Sequence, residues 1–336
     1  MKRSRTMPQT IAVLLGVALG LMVLSTVTAT ETTGACTPTP KVPPNQDIKF
    51  GACLFRSPTA FGQRNPTHIF ASCTGCHPGG TTDRGVHAIM VTNSQGQTVV
   101  VSRKTPNLRN VAFNFPFGWD GRRGGSADPA ALRAGIQAAI MGAITSPLEM
   151  NGQPPTQSQL DALTAFLLSR SPTTPPPGTP PPPPPLDQLT LARIALGRDV
   201  FFGNTPSTQG LKATGTTCAD CHPRPFFTDH KIRTNVLRPS AQFNLGPDEG
   251  AGFVGTGPVD AFKTPSLHHF YPDIEPVFMH SGTFGTESAL FRFYETSLGF
   301  TMTDAERTGL HYWLVNCPKG PERDPASLPP TCFPAN

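Results

Sequence analysis

Two stretches decide the fold, Cys73-Thr74-Gly75-Cys76-His77-Pro78 and Cys218-Ala219-Asp220-Cys221-His222-Pro223. Each sets two thiols three positions apart with a histidine directly after the second. Two thiols at that spacing can form thioethers to the two vinyl groups of one haem, and the adjacent imidazole then lies beneath the iron as proximal ligand. The spacing also serves a thioredoxin-like dithiol, and two Cys-x-x-Cys pairs can share one zinc ion. Dithiol chemistry needs a βαβ context that this sequence lacks, and a shared zinc leaves both histidines unexplained. Read as haem motifs, Cys73 and Cys76 hold one haem c with His77 on its iron, and Cys218 and Cys221 hold a second with His222.

The surroundings of the two motifs repeat. The first is preceded by Phe50-Gly51 and Leu54-Phe55 and followed by Thr82-Asp83; the second is preceded by Leu196-Gly197 and Val200-Phe201 and followed by Thr228-Asp229. Each continues into Lys-Thr-Pro-x-Leu, at Lys104 to Leu108 and Lys263 to Leu267, and then into an aromatic stretch ending in a glycine turn, Phe115 to Gly121 and Phe278 to Gly282. Four landmarks in one order, twice, imply one structural unit used twice.

Helix signals dominate the rest. Asp128 can cap a helix that has Pro129 at its first position, with Leu132, Ile136, Ala139, Ile140 and Ala143 on one face. Thr156-x-x-Gln159 and Thr303-x-x-Glu306 are capping boxes, and Thr286 can cap a helix carrying Leu290, Phe293, Tyr294 and Leu298. No convincing alternating strand is visible. The expected fold is all-α, two tandem cytochrome c-like haem domains joined by a proline-rich linker. The linker is 172–185, where ten prolines in fourteen residues favour polyproline II, roughly 40 Å long at about 3.1 Å per residue. The domains are then 30–171 and 186–336. Residues 1–29 read as a secretory signal: Lys2, Arg3 and Arg5, an apolar run from Ile11 to Val27, and small residues at Val27-Thr28-Ala29. No later segment is long and apolar enough to span a bilayer, so no membrane span is expected after cleavage, and the chain is expected to be periplasmic or otherwise exported.

The formal charge of +5 includes those three basic residues, leaving 5 − 3 = +2 for the remainder, which argues against nucleic acid as a partner. Of eight cysteines, four belong to the haem motifs. Cys36, Cys53, Cys317 and Cys332 remain, two per half, and export favours disulfides. Three connectivities are open; the local pairings Cys36–Cys53 and Cys317–Cys332 would each be worth roughly 3 kcal/mol if unstrained.

The sixth iron position separates electron carriers from peroxide-binding haems. His87, ten residues after His77, is a candidate displaceable ligand of the first haem, or else a surface histidine. Tyr294 and Met279 are candidates at the second, each with an alternative as a packing residue. His230, His268, His269 and His311 carry no usable spacing.

These residues together resemble the bacterial di-haem cytochrome c peroxidases and their MauG-like relatives, from about Phe50 to Leu314 with the proline stretch as an interruption. The resemblance rests on both haem motifs, Thr105-Pro106-Asn107-Leu108-Arg109-Asn110-Val111-Ala112-Phe113, Trp119-Asp120-Gly121-Arg122, Ser146-Pro147-Leu148-Glu149-Met150, Lys263-Thr264-Pro265-Ser266-Leu267, and His280-Ser281-Gly282 followed by the Tyr294 helix. It implies a peroxidatic first haem, an electron-entry second haem, Trp119 between them, and Glu149 moving a proton during O–O cleavage. It implies Tyr294 as sixth ligand of the second haem, where the peroxidases usually have Met and the MauG-like proteins Tyr. Gln137 is the nearest candidate for a pocket glutamine. The resemblance also implies calcium between the halves, although Lys104 stands where the family has Asn and extra residues surround Asp273 to Pro276.

The expected activity is reduction of hydrogen peroxide to water with electrons from a small redox protein, a cytochrome c or cupredoxin. A MauG-like oxidase acting on a protein or small molecule, and a plain di-haem electron carrier, are the alternatives.

Overall fold

The computed structural model describes residues 35–62, 71–80, 82–83, 85–92, 98–119, 121–170, 186–234, 261–268, 278–279, 282, 284–318 and 328–333. The expected signal segment 1–29 and the linker 172–185 lie outside the described residues. Those from Ala35 onward belong to one compact unit.

The sequence signals for helix ends are realised. Helix α1 (Ile48–Arg56) starts at Asp47, whose carboxylate accepts from the Phe50 N–H. The short α2 (Cys73–Cys76) carries the first haem motif. Helix α3 (Pro129–Thr145) begins with Pro129 and with Asp128 accepting from the Ala130 and Ala131 N–H groups. Helix α4 (Gln157–Ser169) begins with the reciprocal Thr156–Gln159 capping box. In the second half follow α5 (Gln188–Phe201), α6 (Gln209–Thr214) and α7 (Cys218–Cys221), which carries the second motif. Helix α8 (Glu287–Leu298) is capped by Thr286, and α9 (Asp304–Asn316) by the Thr303–Glu306 box.

The all-α expectation needs a correction. The structure is helix-rich with few strands: β1 (Val86–Thr92) and β2 (Thr98–Lys104) form an antiparallel ribbon in register from Val86↔Lys104 to Thr92↔Thr98. β3 (Ile232–Thr234) and β4 (Ala261–Lys263) form a second, shorter one. The unbroken Val99-Val100-Val101 run hides the alternation by which a half-buried strand is recognised, while its β-branched residues favour extended backbone.

Each half has its own core. In the first, Phe50, Leu54 and Phe55 of α1 pack with Leu163 and Leu167 of α4, and with Ile136 and Ile144 of α3. In the second, Ile194, Val200 and Phe201 of α5 pack with Leu310, Trp313 and Leu314 of α9. The crossings are built alike. A Cβ on Gly51 would strike the Ala162 carbonyl of α4, and one on Gly197 would strike the Gly309 carbonyl of α9. Both glycines are required by backbone-to-backbone approach.

The local cysteine pairings are present: Cys36–Cys53 and Cys317–Cys332 are disulfides, while Cys73, Cys76, Cys218 and Cys221 take part in none.

Candidate haem centre and its shared cavity

The two Cys-x-x-Cys-His turns are held by the same hydrogen bonds. The His77 N–H donates to the Cys73 carbonyl at 2.8 Å, and the His222 N–H to the Cys218 carbonyl at 2.8 Å. The Asp83 N–H donates to the Cys76 carbonyl, and the Asp229 N–H to that of Cys221. The hydroxyl of Thr82 donates to the Thr105 carbonyl (2.9 Å), and that of Thr228 to the Thr264 carbonyl (2.6 Å). Each motif is thereby tied to its own Lys-Thr-Pro segment, so the repeat read in sequence is a repeat of geometry.

A cavity of about 400 Å³ is lined by Cys73, Cys76 and His77 of the first motif and by His222 of the second. Cys73, Cys76, His77, His87, Trp119 and Glu149 line it from the first half, and His222, Met279 and Tyr294 from the second. Cys218 and Cys221 lie close enough to Tyr294 to act on its phenol electrostatically. All the candidate ligands and both candidate catalytic residues thus come to one cavity and its margin.

Trp119 stands at the junction. Its indole N–H donates to the Lys104 carbonyl at 2.8 Å, and its own carbonyl accepts from the Lys263 N–H at 2.9 Å. It is therefore bonded to the lysine of each Lys-Thr-Pro repeat. Glu149 is half-buried, and burial raises its carboxyl above the ordinary range against contrary effects of Ser146, Arg122 and Arg123. A carboxyl so raised can hold a proton nearer neutral pH.

Burial pushes the thiols of Cys73, Cys76 and Cys218 up to about 12. A redox dithiol needs a ready thiolate, which requires the opposite shift. The donor set fits haem better. His222 Nδ1 lies 2.9 Å from the Phe227 carbonyl, so Nδ1 carries the proton and Nε2 presents its lone pair, the usual arrangement of a ligating histidine. Arg103, Lys104, Arg109, Arg122, Arg123 and Lys263 line the cavity against the single carboxylate Glu149 among the described residues. Two haems would bring about four propionates to that cationic wall.

His87 lines the cavity from β1, with Nε2 2.6 Å from Asp83 Oδ2. Together with Cys76 these make the metal-capable cluster of three found among the described residues. Gln137 does not line the cavity: its amide donates to Asp161 at 2.9 Å, tying α3 to α4. The pocket-glutamine expectation is corrected accordingly; Gln137 lies one residue beyond Ile136, which does face the cavity. Asp120, His280 and residues 269–277 lie outside the described residues.

Residues 45–167 match the model of the di-haem cytochrome c peroxidase family, CCP_MauG. That segment is similar to the di-haem cytochrome c peroxidases. The matched segment spans the first Cys-x-x-Cys-His motif, the β1–β2 ribbon, Trp119 and Glu149. The family supports haem-dependent peroxidase or oxidase chemistry, and so an oxidoreductase. No curated protein matches the chain. Among solved structures, hydrazine synthase of Kuenenia stuttgartiensis is similar at a TM-score of 0.45 and 16% identity, covering 92% of this chain and 99% of that one. A MauG-like protein associated with microbial copper homeostasis is similar at 0.48 and 16%, covering 88% and 96%. No described helix is long and apolar enough to cross a membrane.

The sequence reading missed the cationic wall and the role of the two Lys-Thr-Pro lysines. The duplicated Lys104 and Lys263 were its one visible sign.

Proposed function

We propose that the protein is an exported di-haem enzyme that reduces hydrogen peroxide to water, H2O2 + 2e⁻ + 2H⁺ giving two H2O, with electrons from a small cytochrome or cupredoxin. The observation that carries this reading is Glu149, a carboxyl raised by burial in the same cavity as Cys73, Cys76 and His77. Bound haem would supply an iron centre that accepts peroxide and passes electrons; Cys73, Cys76 and His77 would hold one haem, and Cys218, Cys221 and His222 the other. Glu149 takes a proton from the near oxygen of peroxide and returns one to the leaving oxygen, which is what heterolysis requires. The electrostatic pull of Arg122 and Arg123 keeps the anion tolerable once the proton has moved. Trp119, bonded to both halves, lines the cavity with an aromatic ring that would assist electron transfer between the haems. The test is oxidation of a ferrocytochrome by peroxide, expected to fall about 100-fold in Glu149→Gln with both haems retained. Undiminished turnover would remove Glu149 from this role.

The MauG-like alternative, oxidation of a protein or small molecule, is favoured by Tyr294. Its phenol lines the cavity that His222 also lines, and burial raises it well above its ordinary value. A tyrosine oxygen on iron stabilises the ferric state more than a thioether does. Tyr294→Met is expected to raise the potential of the second haem, and an unchanged potential would mean that Tyr294 is not its ligand.

A further inference from the structure

One of the buried cations in the cavity wall does more than line it. Lys263 ends β4, is 8% exposed, and faces the cavity shared by the two motifs. Its ammonium donates to the Asn114 carbonyl at 2.6 Å and to Asn114 Oδ1 at 3.0 Å. Both acceptors are neutral oxygens. Burial alone pulls the ammonium from 10.5 down to about 7. Glu149, the carboxylate lining the cavity among the described residues, has Arg122 and Arg123 as its electrostatic partners. A buried ammonium that meets amide oxygens on the protein side is costly unless an anion completes its surroundings, and the cavity is where that anion would come from.

The same residue grips the loop that carries Trp119. Its side chain holds Asn114 and its backbone N–H holds the Trp119 carbonyl, so the loop is pinned at both ends by one residue of the other half. Whatever fixes the ammonium also fixes the span from Asn114 to Trp119.

We propose that Lys263 binds a carboxylate of the cavity's porphyrin ligand and, through the same ammonium, locks the Asn114–Trp119 loop against it. The inference rests on the haem reading given above. Lys263 is a positioning residue in this account, and its charge has a redox consequence. A buried positive charge beside a haem opposes the ferric state and raises the reduction potential.

The experiment is a spectroelectrochemical titration of the purified holoprotein, with haem counted by the pyridine haemochrome spectrum. Lys263→Gln, which keeps a donor but loses the charge, should lower the midpoint potential of one haem with two haems still bound. Lys263→Arg should hold two haems at the wild-type potentials. Unchanged potentials in Lys263→Gln with two haems overturn the assignment. Should the Gln variant fail to hold both haems, Lys263→Arg decides: loss of a haem there as well shows that shape and not charge is required, and the assignment falls. Wild-type protein without two haems would instead refute the haem reading itself.

Discussion

The two halves share a scaffold and differ in what they hang on it. In each, a helix crosses its partner through a glycine at the backbone contact, Gly51 of α1 against α4 and Gly197 of α5 against α9. In each, a threonine after the Cys-x-x-Cys-His turn bonds the carbonyl of the Lys-Thr-Pro threonine. The cavity-facing side chains diverge. The first half contributes Glu149, Arg122, Arg123 and the β1–β2 ribbon with His87; the second contributes Met279, Tyr294 and the Lys263 clamp. On the reading proposed above, gripping a haem asks for the same backbone in both halves, whereas proton transfer and electron entry ask for different neighbours. The comparison then assigns the repeat to the cofactor and the departures from it to the reaction.

The largest expected effect comes from removing one grip at a time. Cys73→Ala with Cys76→Ala should lose one covalent haem and all peroxide turnover. Cys218→Ala with Cys221→Ala should lose the other haem and stop delivery of electrons from the donor. Intact-protein mass, which falls by one haem in each case, and turnover together check the pair. Turnover surviving in the first double variant would reverse the assignment of the halves.

Next comes the cost of the structural pieces. Removing Cys317–Cys332 should destabilise by roughly 3 kcal/mol, and removing Cys36–Cys53 by less. The first pair is fully buried in its core, where the Trp313 indole donates to the Cys332 carbonyl, whereas Cys36 is only partly buried. Thermal unfolding of the two cysteine-to-alanine pairs would show the order, and equal losses would contradict it. Gly51→Ala and Gly197→Ala should each cost about 1–3 kcal/mol, because both helix crossings would have to open. A large difference between them would mean that the crossings are less alike than their geometry.

The smallest effect is electrostatic. The folded-state pKa of Glu149 is raised, so ionising it costs stability once pH rises above its ordinary value of 4.5, and the full cost is present above the folded pKa. Glu149→Gln escapes that cost. The variant's melting temperature should therefore gain on the wild type as pH rises from about 4 towards 8, and a gap that does not change with pH would contradict the raised carboxyl.

Much of this was legible in the sequence because it rests on local chemistry. Asp128, Thr156, Thr286 and Thr303 cap their helices as their spacing indicates, since a cap is decided within three or four residues. The haem motifs and local disulfides are short-range too. The β1–β2 ribbon was missed because its Val99–Val101 run lacks alternation, and pairing with Val86–Thr92 is settled only when the strands meet. Gln137 was misjudged because a helix places neighbouring residues about 100° apart, which turns it towards Asp161 while Ile136 faces the cavity. The contact of Lys263 with Asn114 spans 149 positions, and no local pattern signals it.

The central claim is that two alike grips serve one cavity with two unlike haems. An EPR spectrum of the purified ferric holoprotein, recorded before and after one equivalent of peroxide alongside a haem count, tests it most directly. The account predicts two haems per chain and two distinct ferric signals, one of which changes with peroxide. A single haem, two identical signals, or no response to peroxide would contradict it.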